Sequence, residues 1–396
     1  MSSTYDFTRP YLVIPKLIEQ PTWGGSYIAI TKGWSDRPGL TCKIGQSYEL
    51  FSGSNLSPLT RSDDPAFSGE LTDRDAVQVQ THPSNAIALS DLIAADPVAT
   101  LGQAHIAERG NQLGLLAKFT QALGNSFQVH IATGTTHAHW QQKPESWYFF
   151  EPGLITLGVK PHADWDAYRQ SVTAVHNDMA AIGQQVADGQ LTAAQAQPRV
   201  HALLRQHDPW QYVNMVATQK DQLVDLSGGG QHHSWEEDAA RAPHGNVLYE
   251  LQADVMDDVS TLRCFDKGKL GNDGSIRSVH IDDYFALIDR SPATNDPKQH
   301  IKRPILIAQS NGYVLERLMQ SPYYNLEKLS LTAANAVFTD HPDRFRHLFI
   351  KEGSAVVSVG GHSLHIASGH SCFIPAAAIK YSVTSHTSNT QVLISY

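Results

Sequence analysis

The chain has 396 residues, 41% hydrophobic and 17% charged, which excludes a disordered polymer and leaves enough apolar surface for two or three domains. A formal net charge of -9 excludes the basic footprint that nucleic-acid backbones demand, and no apolar run approaches the ~20 residues of a membrane-spanning helix. Three cysteines far apart, Cys42, Cys264 and Cys372, argue against a disulfide framework, and an N-terminus without a basic-then-apolar leader points to the cytoplasm.

From about residue 40 to 160, short apolar or alternating runs such as QSYEL (46–50), NSFQVHI (125–131) and SWYFF (146–150) are separated by Gly, Pro, Asn and Asp, the pattern of strands and turns. Between about 161 and 220 the composition shifts to Ala, Gln, Arg and Asp at helical spacing, which predicts a helical insertion. Strand-like runs return at DQLVDLSGGG (221–230) and NVLYELQ (246–252). The last block, from about 301 to 396, is a near-continuous series of short strands, expected to close as its own barrel. The expected organisation is residues 1–160 with 221–300 as the site-bearing domain, 161–220 as the insertion and 301–396 as the C-terminal unit.

The densest candidate for chemistry begins at Gln128 and His130, two apart on a predicted strand and therefore on one face. Glu145 opens the next apolar strand, and antiparallel pairing can bring its carboxylate beside His130. An amide oxygen, an imidazole and a carboxylate need one further nitrogen to suit zinc or another first-row divalent ion with a position left for water or substrate. The glycine turn at 228–230 leads into His232 and His233, which face opposite ways in extended chain, so one of the two supplies that nitrogen. Lys143, two residues before Glu145, is expected on the same face, where low dielectric and a metal can lower its pKa into acid–base range.

Gly124 stands six residues before His130, and Ser227-Gly228-Gly229-Gly230-Gln231-His232 follows the second metal motif of the cupins with Ser in the Pro place. These spacings resemble the cupin superfamily, and that register selects His232. More specifically, LLAKF (115–119), SFQVH (126–130), KPESWYFFEPG (143–153), VLYELQ (247–252), TLRCFD (261–266) and SVHIDDYFALID (278–289) occur in order and resemble the type I phosphomannose isomerases, from Trp23 to the C-terminus. The resemblance implies a mainly β fold of cupin (double-stranded β-helix, or jelly-roll) barrels with a helical insertion. It also implies one zinc ion held by Gln128, His130, Glu145 and His232, Lys143 as a proton-transfer residue and Arg263 as the guanidinium that meets an anionic intermediate or a phosphate. The implied activity interconverts mannose 6-phosphate and fructose 6-phosphate through an enediol(ate). The alternatives are a cupin isomerase of another sugar or sugar phosphate, and a carbohydrate-binding cupin without turnover. The expected partner is a small phosphorylated sugar, with neither nucleic acid nor membrane, and the expected state is a monomer or weak homo-oligomer.

The chain departs from that pattern at three places. Gln142 stands where many members have His, Val259 stands where they carry an acid four residues before the Arg, with Asp257 and Asp258 slightly displaced, and 234–245 holds about ten extra residues. Lys269 and Arg277 are secondary phosphate candidates. His82, in a stretch that mimics the metal motif without a following carboxylate, reads as a loop residue, and His137, His139, His244 and His280 as surface or core residues, His139 and His280 being within possible reach of substrate. In the C-terminal block Lys380 stands where the second cupin motif would place its His, so that barrel is expected to be metal-free.

Overall fold

In the computed structural model, which describes residues 5–20, 23–37, 40, 43–72, 85–122, 124–234 and 240–396, the alternating runs become strands. Cys42 and the His82 stretch lie outside the described residues. The described strands form sheets of nine, eight, five and four strands.

The eight-stranded sheet is centred on Leu115–Ala122, Asn246–Ala253 and Glu145–Phe149, each buried along its whole length. Their two-residue period sorts polar from apolar side chains. Phe119, Tyr249 and Phe150 point to one face and pack around Phe349 of strand Arg346–Glu352, with ring centroids 5.6, 5.3 and 6.0 Å away. On the other face Lys118, Thr120 and Glu250 line a cavity beneath the five-stranded sheet. That sheet runs in the order Val213–Thr218, Gly153–Val159, His232–Ser234, Phe127–Val129, Leu262–Phe265.

The stretch with helical spacing forms Trp165–Ala187 and Ala193–His207. Asp164 caps the first by accepting from the Asp166 and Ala167 amides, and Thr192 and Gln195 close a reciprocal cap on the second. Their apolar stripes, including Val172, Val175, Met179, Val200 and Leu203, share a core with Phe127, Leu262 and Phe265. The helices therefore roof the outer face of the sheet that forms the cavity wall.

Residues 301–396 supply the four-stranded sheet and six strands of the nine-stranded one, and the two sheets share a core. They do not close alone. Strand Tyr11–Ile14 pairs antiparallel with both Ser371–Ile374 and Asn55–Ser57, extending the C-terminal sheet with the first part of the chain. Below this seam Lys32 and Glu49 form a fully buried ion pair at 2.7 Å, with Ser371 Oγ donating to the second carboxylate oxygen at 3.0 Å.

Candidate metal centre and active site

The polar face of the eight-stranded sheet and the inner face of the five-stranded sheet enclose a cavity of about 390 Å³, within the range typical of small-molecule sites. His232 pairs in register with Gln128, which pairs in turn with Arg263, so three strands carry three functional side chains at one level. Glu145 begins its own strand on the facing sheet.

His130, Glu145 and His232 are fully buried, and one ligand atom from each lies within 4.8 Å of the others. His130 Nδ1–H donates to Ser260 O at 2.9 Å, and His232 Nδ1–H donates to Gly230 O at 3.2 Å. In a neutral ring this leaves Nε2 as the free ligand atom, the arrangement that outer-shell carbonyls impose on metal-binding imidazoles. His130 Nε2 stands 3.0 Å from Glu145 Oε2, a separation bridged by a proton or by a shared cation. Gln128 Nε2 donates to His232 Nε2 at 3.2 Å, and a half-turn of the amide presents its oxygen to the same point. Burial holds His232 neutral, its pKa pushed down to about 3. These donors fit a divalent ion.

His233 points the other way. Its ring lies against Phe127 with centroids 4.8 Å apart, and its Nδ1 is 3.3 Å from Thr156 Oγ1.

Lys143, 4% exposed, reaches Glu145 Oε2 and Asp257 Oδ1, each at 3.0 Å. The sequence expectation of a lowered lysine pKa counted on a metal beside it; the protein's own charges act the other way. Burial alone would lower it, but the charges of Asp257 and Glu145 outweigh burial and hold the ammonium pKa above its ordinary value. Glu145 is held down in the same way: burial would raise it, and Lys143 and His130 prevail. Asp257, half exposed at the mouth, also lies 3.5 Å from Arg263, so the displaced acid reaches the arginine despite its altered spacing. Its pKa is driven down chiefly by Lys143.

Two residues that sequence reasoning missed line the same cavity. Lys118 Nζ donates to Glu250 Oε1 and Gln252 Oε1, both at 2.9 Å. Burial raises the Glu250 pKa and overrides the opposing pull of Lys118. The available signal was their alternate positions in LLAKF and VLYELQ, which put polar side chains on one face of otherwise apolar strands.

Arg263 is 5% exposed, with its Nε lacking a partner among the described residues. Burial and then the nearby Arg277 pull its pKa down to about 10. Ser126 Oγ, buried beside the same cavity, also lacks a partner among the described residues. Arg277 lines this cavity as well, whereas Lys269 donates to Gly124 O at 3.1 Å. Gln142, where the sequence resemblance expects His, staples a loop: its oxygen accepts from the Gly134 amide and Tyr323 OH, both at 2.8 Å. His280 supports Arg263 through backbone contacts, and His137 and His139 lie exposed on a loop.

Residues 315–394 match the family model described as mannose-6-phosphate isomerase, cupin domain. Among solved structures, the mannose 6-phosphate isomerase from Bacillus subtilis superposes with a TM-score of 0.66 at 14% identity, covering 98% of this chain and 99% of that one. The Salmonella typhimurium mannose 6-phosphate isomerase bound to fructose 6-phosphate and zinc gives a TM-score of 0.62 at 15% identity, over 98% and 99% of the two chains. No curated protein sequence matches. The chain therefore has the mainly β fold of these isomerases along nearly its whole length, with the cupin-domain match at residues 315–394.

Proposed function

We propose that the protein is an aldose–ketose isomerase that interconverts mannose 6-phosphate and fructose 6-phosphate, with one zinc ion per chain held by Gln128, His130, Glu145 and His232. The observation that carries this reading is the convergence of one ligand atom each from His130, Glu145 and His232 within 4.8 Å, with His130 Nε2 3.0 Å from Glu145 Oε2, beside a cavity lined by Gln128, Glu145, Lys143 and Arg263.

When bound, such an ion supplies Lewis acidity next to the sugar oxygens that become anionic. The chain's own groups divide the remaining work. Conversion of aldose to ketose removes a proton from C2 and returns one to C1, while a proton moves between the two oxygens. Glu250, whose affinity for a proton burial has increased, is placed to take and return the carbon proton. Lys143, held as an ammonium by Asp257 and Glu145, exchanges protons with the oxygens. Arg263 and Arg277 put two guanidiniums along one side of the cavity, with Ser126 nearby, which suits the enediolate and the substrate phosphate.

A coupled assay with mannose 6-phosphate, before and after chelation and zinc restoration, tests the reading. Turnover that falls on chelation and returns with zinc supports it. Zinc binding with turnover of a different aldose only would assign another substrate, and zinc binding with no turnover of any aldose would make the chain a binding protein.

A further inference from the structure

His232 rises from the turn 227–230, and the segment 289–302 packs against that turn from outside the cavity. His300, 7% exposed at the end of the short helix Pro297–His300, sits at the centre of this contact. Its Nδ1 lies 2.8 Å from Asp225 O and its Nε2 lies 2.7 Å from Thr294 O. Both partners are carbonyl oxygens and can only accept. A neutral imidazole has one N–H and satisfies one of them; an imidazolium satisfies both.

The ring faces the turn itself. A Cβ built on Gly228 would meet His300 Cε1 at 3.6 Å, and one on Gly230 would meet Thr294 O at 3.1 Å and the same Cε1 at 3.7 Å. Gly229 O accepts from the Asp289 amide at 3.1 Å, and Asp289 O accepts from Asn295 Nδ2 at 2.9 Å. The last turn carbonyl, Gly230 O, receives His232 Nδ1–H. The charged groups on the surrounding elements are Asp225, paired with Lys302 at 3.1 Å, Asp289, which accepts from Thr294 Oγ1 at 2.6 Å, and Asp296, which caps the helix at the Lys298 amide at 3.1 Å.

We propose that His300 is a positioning residue for the metal centre: it ties Asp225 O to Thr294 O, fixes the glycine turn between them and so sets the direction of His232 Nε2. The proposal rests on the reading of His232 as a metal ligand.

The test compares full-length wild type with His300→Gln, whose amide reaches one carbonyl, by zinc competition titration and by the d–d spectrum of the cobalt form. The expected result is zinc binding about 10-fold weaker in the variant and an altered cobalt spectrum. Equal affinity and identical spectra, whatever the change in melting temperature, would overturn the His300 proposal alone. Wild type that binds no zinc overturns the metal reading and the proposal with it. Should His300→Gln not fold, the same comparison is made with His300→Asn; wild-type zinc affinity and an identical cobalt spectrum in that variant overturn the proposal.

Discussion

Lys143 and Asp257, 114 residues apart in the chain, meet at 3.0 Å at the mouth of the cavity. The contact joins the lysine beside Glu145 to the short 3-10 turn Asp257–Val259 that precedes Arg263, so one carboxylate orients both cations. Lys143→Ala is expected to lower kcat by about 10²–10⁴-fold with zinc content unchanged. Asp257→Asn, which keeps the shape and removes the charge, should cost about 10-fold. Steady-state kinetics with metal analysis on the same samples checks both, and a Lys143→Ala enzyme at wild-type rate would remove the lysine from the mechanism.

His232 and His233 are adjacent yet face opposite sides of one strand, which yields a sharp contrast. His232→Ala should weaken zinc binding by more than the about 100-fold associated with an outer-shell loss. His233→Ala should keep zinc and lose only packing against Phe127. Competition titration with a chromophoric chelator distinguishes them, and the reverse ranking would reassign the ligand.

The Lys32–Glu49 pair is sealed from solvent on both sides. Removing one partner strands a buried charge, so Glu49→Ala should destabilise the fold by about 3–5 kcal/mol, more than a double replacement of the pair by apolar residues. Urea denaturation of the single and double variants measures the difference; equal losses would mean that packing, not charge, holds the seam.

His347, fully buried with Nδ1 3.1 Å from both Tyr249 OH and Ser395 Oγ, has its pKa pushed down to about 3 by burial, with Lys32 adding to the effect. The unfolded chain takes up this proton near pH 6.5 and the folded one does not. The stability from burying the neutral ring is thus complete above about pH 6.5 and drains away as pH falls toward 3. His347→Gln should flatten that slope by up to about 1.4 kcal/mol per pH unit. Denaturation midpoints across the range provide the check, and an unchanged slope would mean that the ring is protonated in the fold.

Local spacing made much of the cavity wall legible. The two-residue interval places Gln128 and His130 together, and the glycine turn supplies a histidine 104 residues away. Other features depend on pairings that no local pattern reveals. Lys118 and Glu250 meet through the register that sets Lys118 opposite Glu250 across two long strands, and each alone reads as one polar residue in an apolar run. Spacing named both Asp257 and Asp258 as displaced acids and left the choice open; the 3-10 turn carries Asp257 to Arg263. The direction of the Lys143 shift was beyond sequence because it depends on two carboxylates, one at either side of the ammonium, winning against burial.

The strand Tyr11–Ile14 lies between Asn55–Ser57, which follows it within a few dozen residues, and Ser371–Ile374, near the end of the chain. During synthesis its first partner is at hand while its second has yet to be translated. One edge of an almost wholly apolar strand therefore stays open until Ser371–Ile374 has been made. Loss of Ser371–Ile374 would bare Tyr11–Ile14, so these two distant strands stand or fall together.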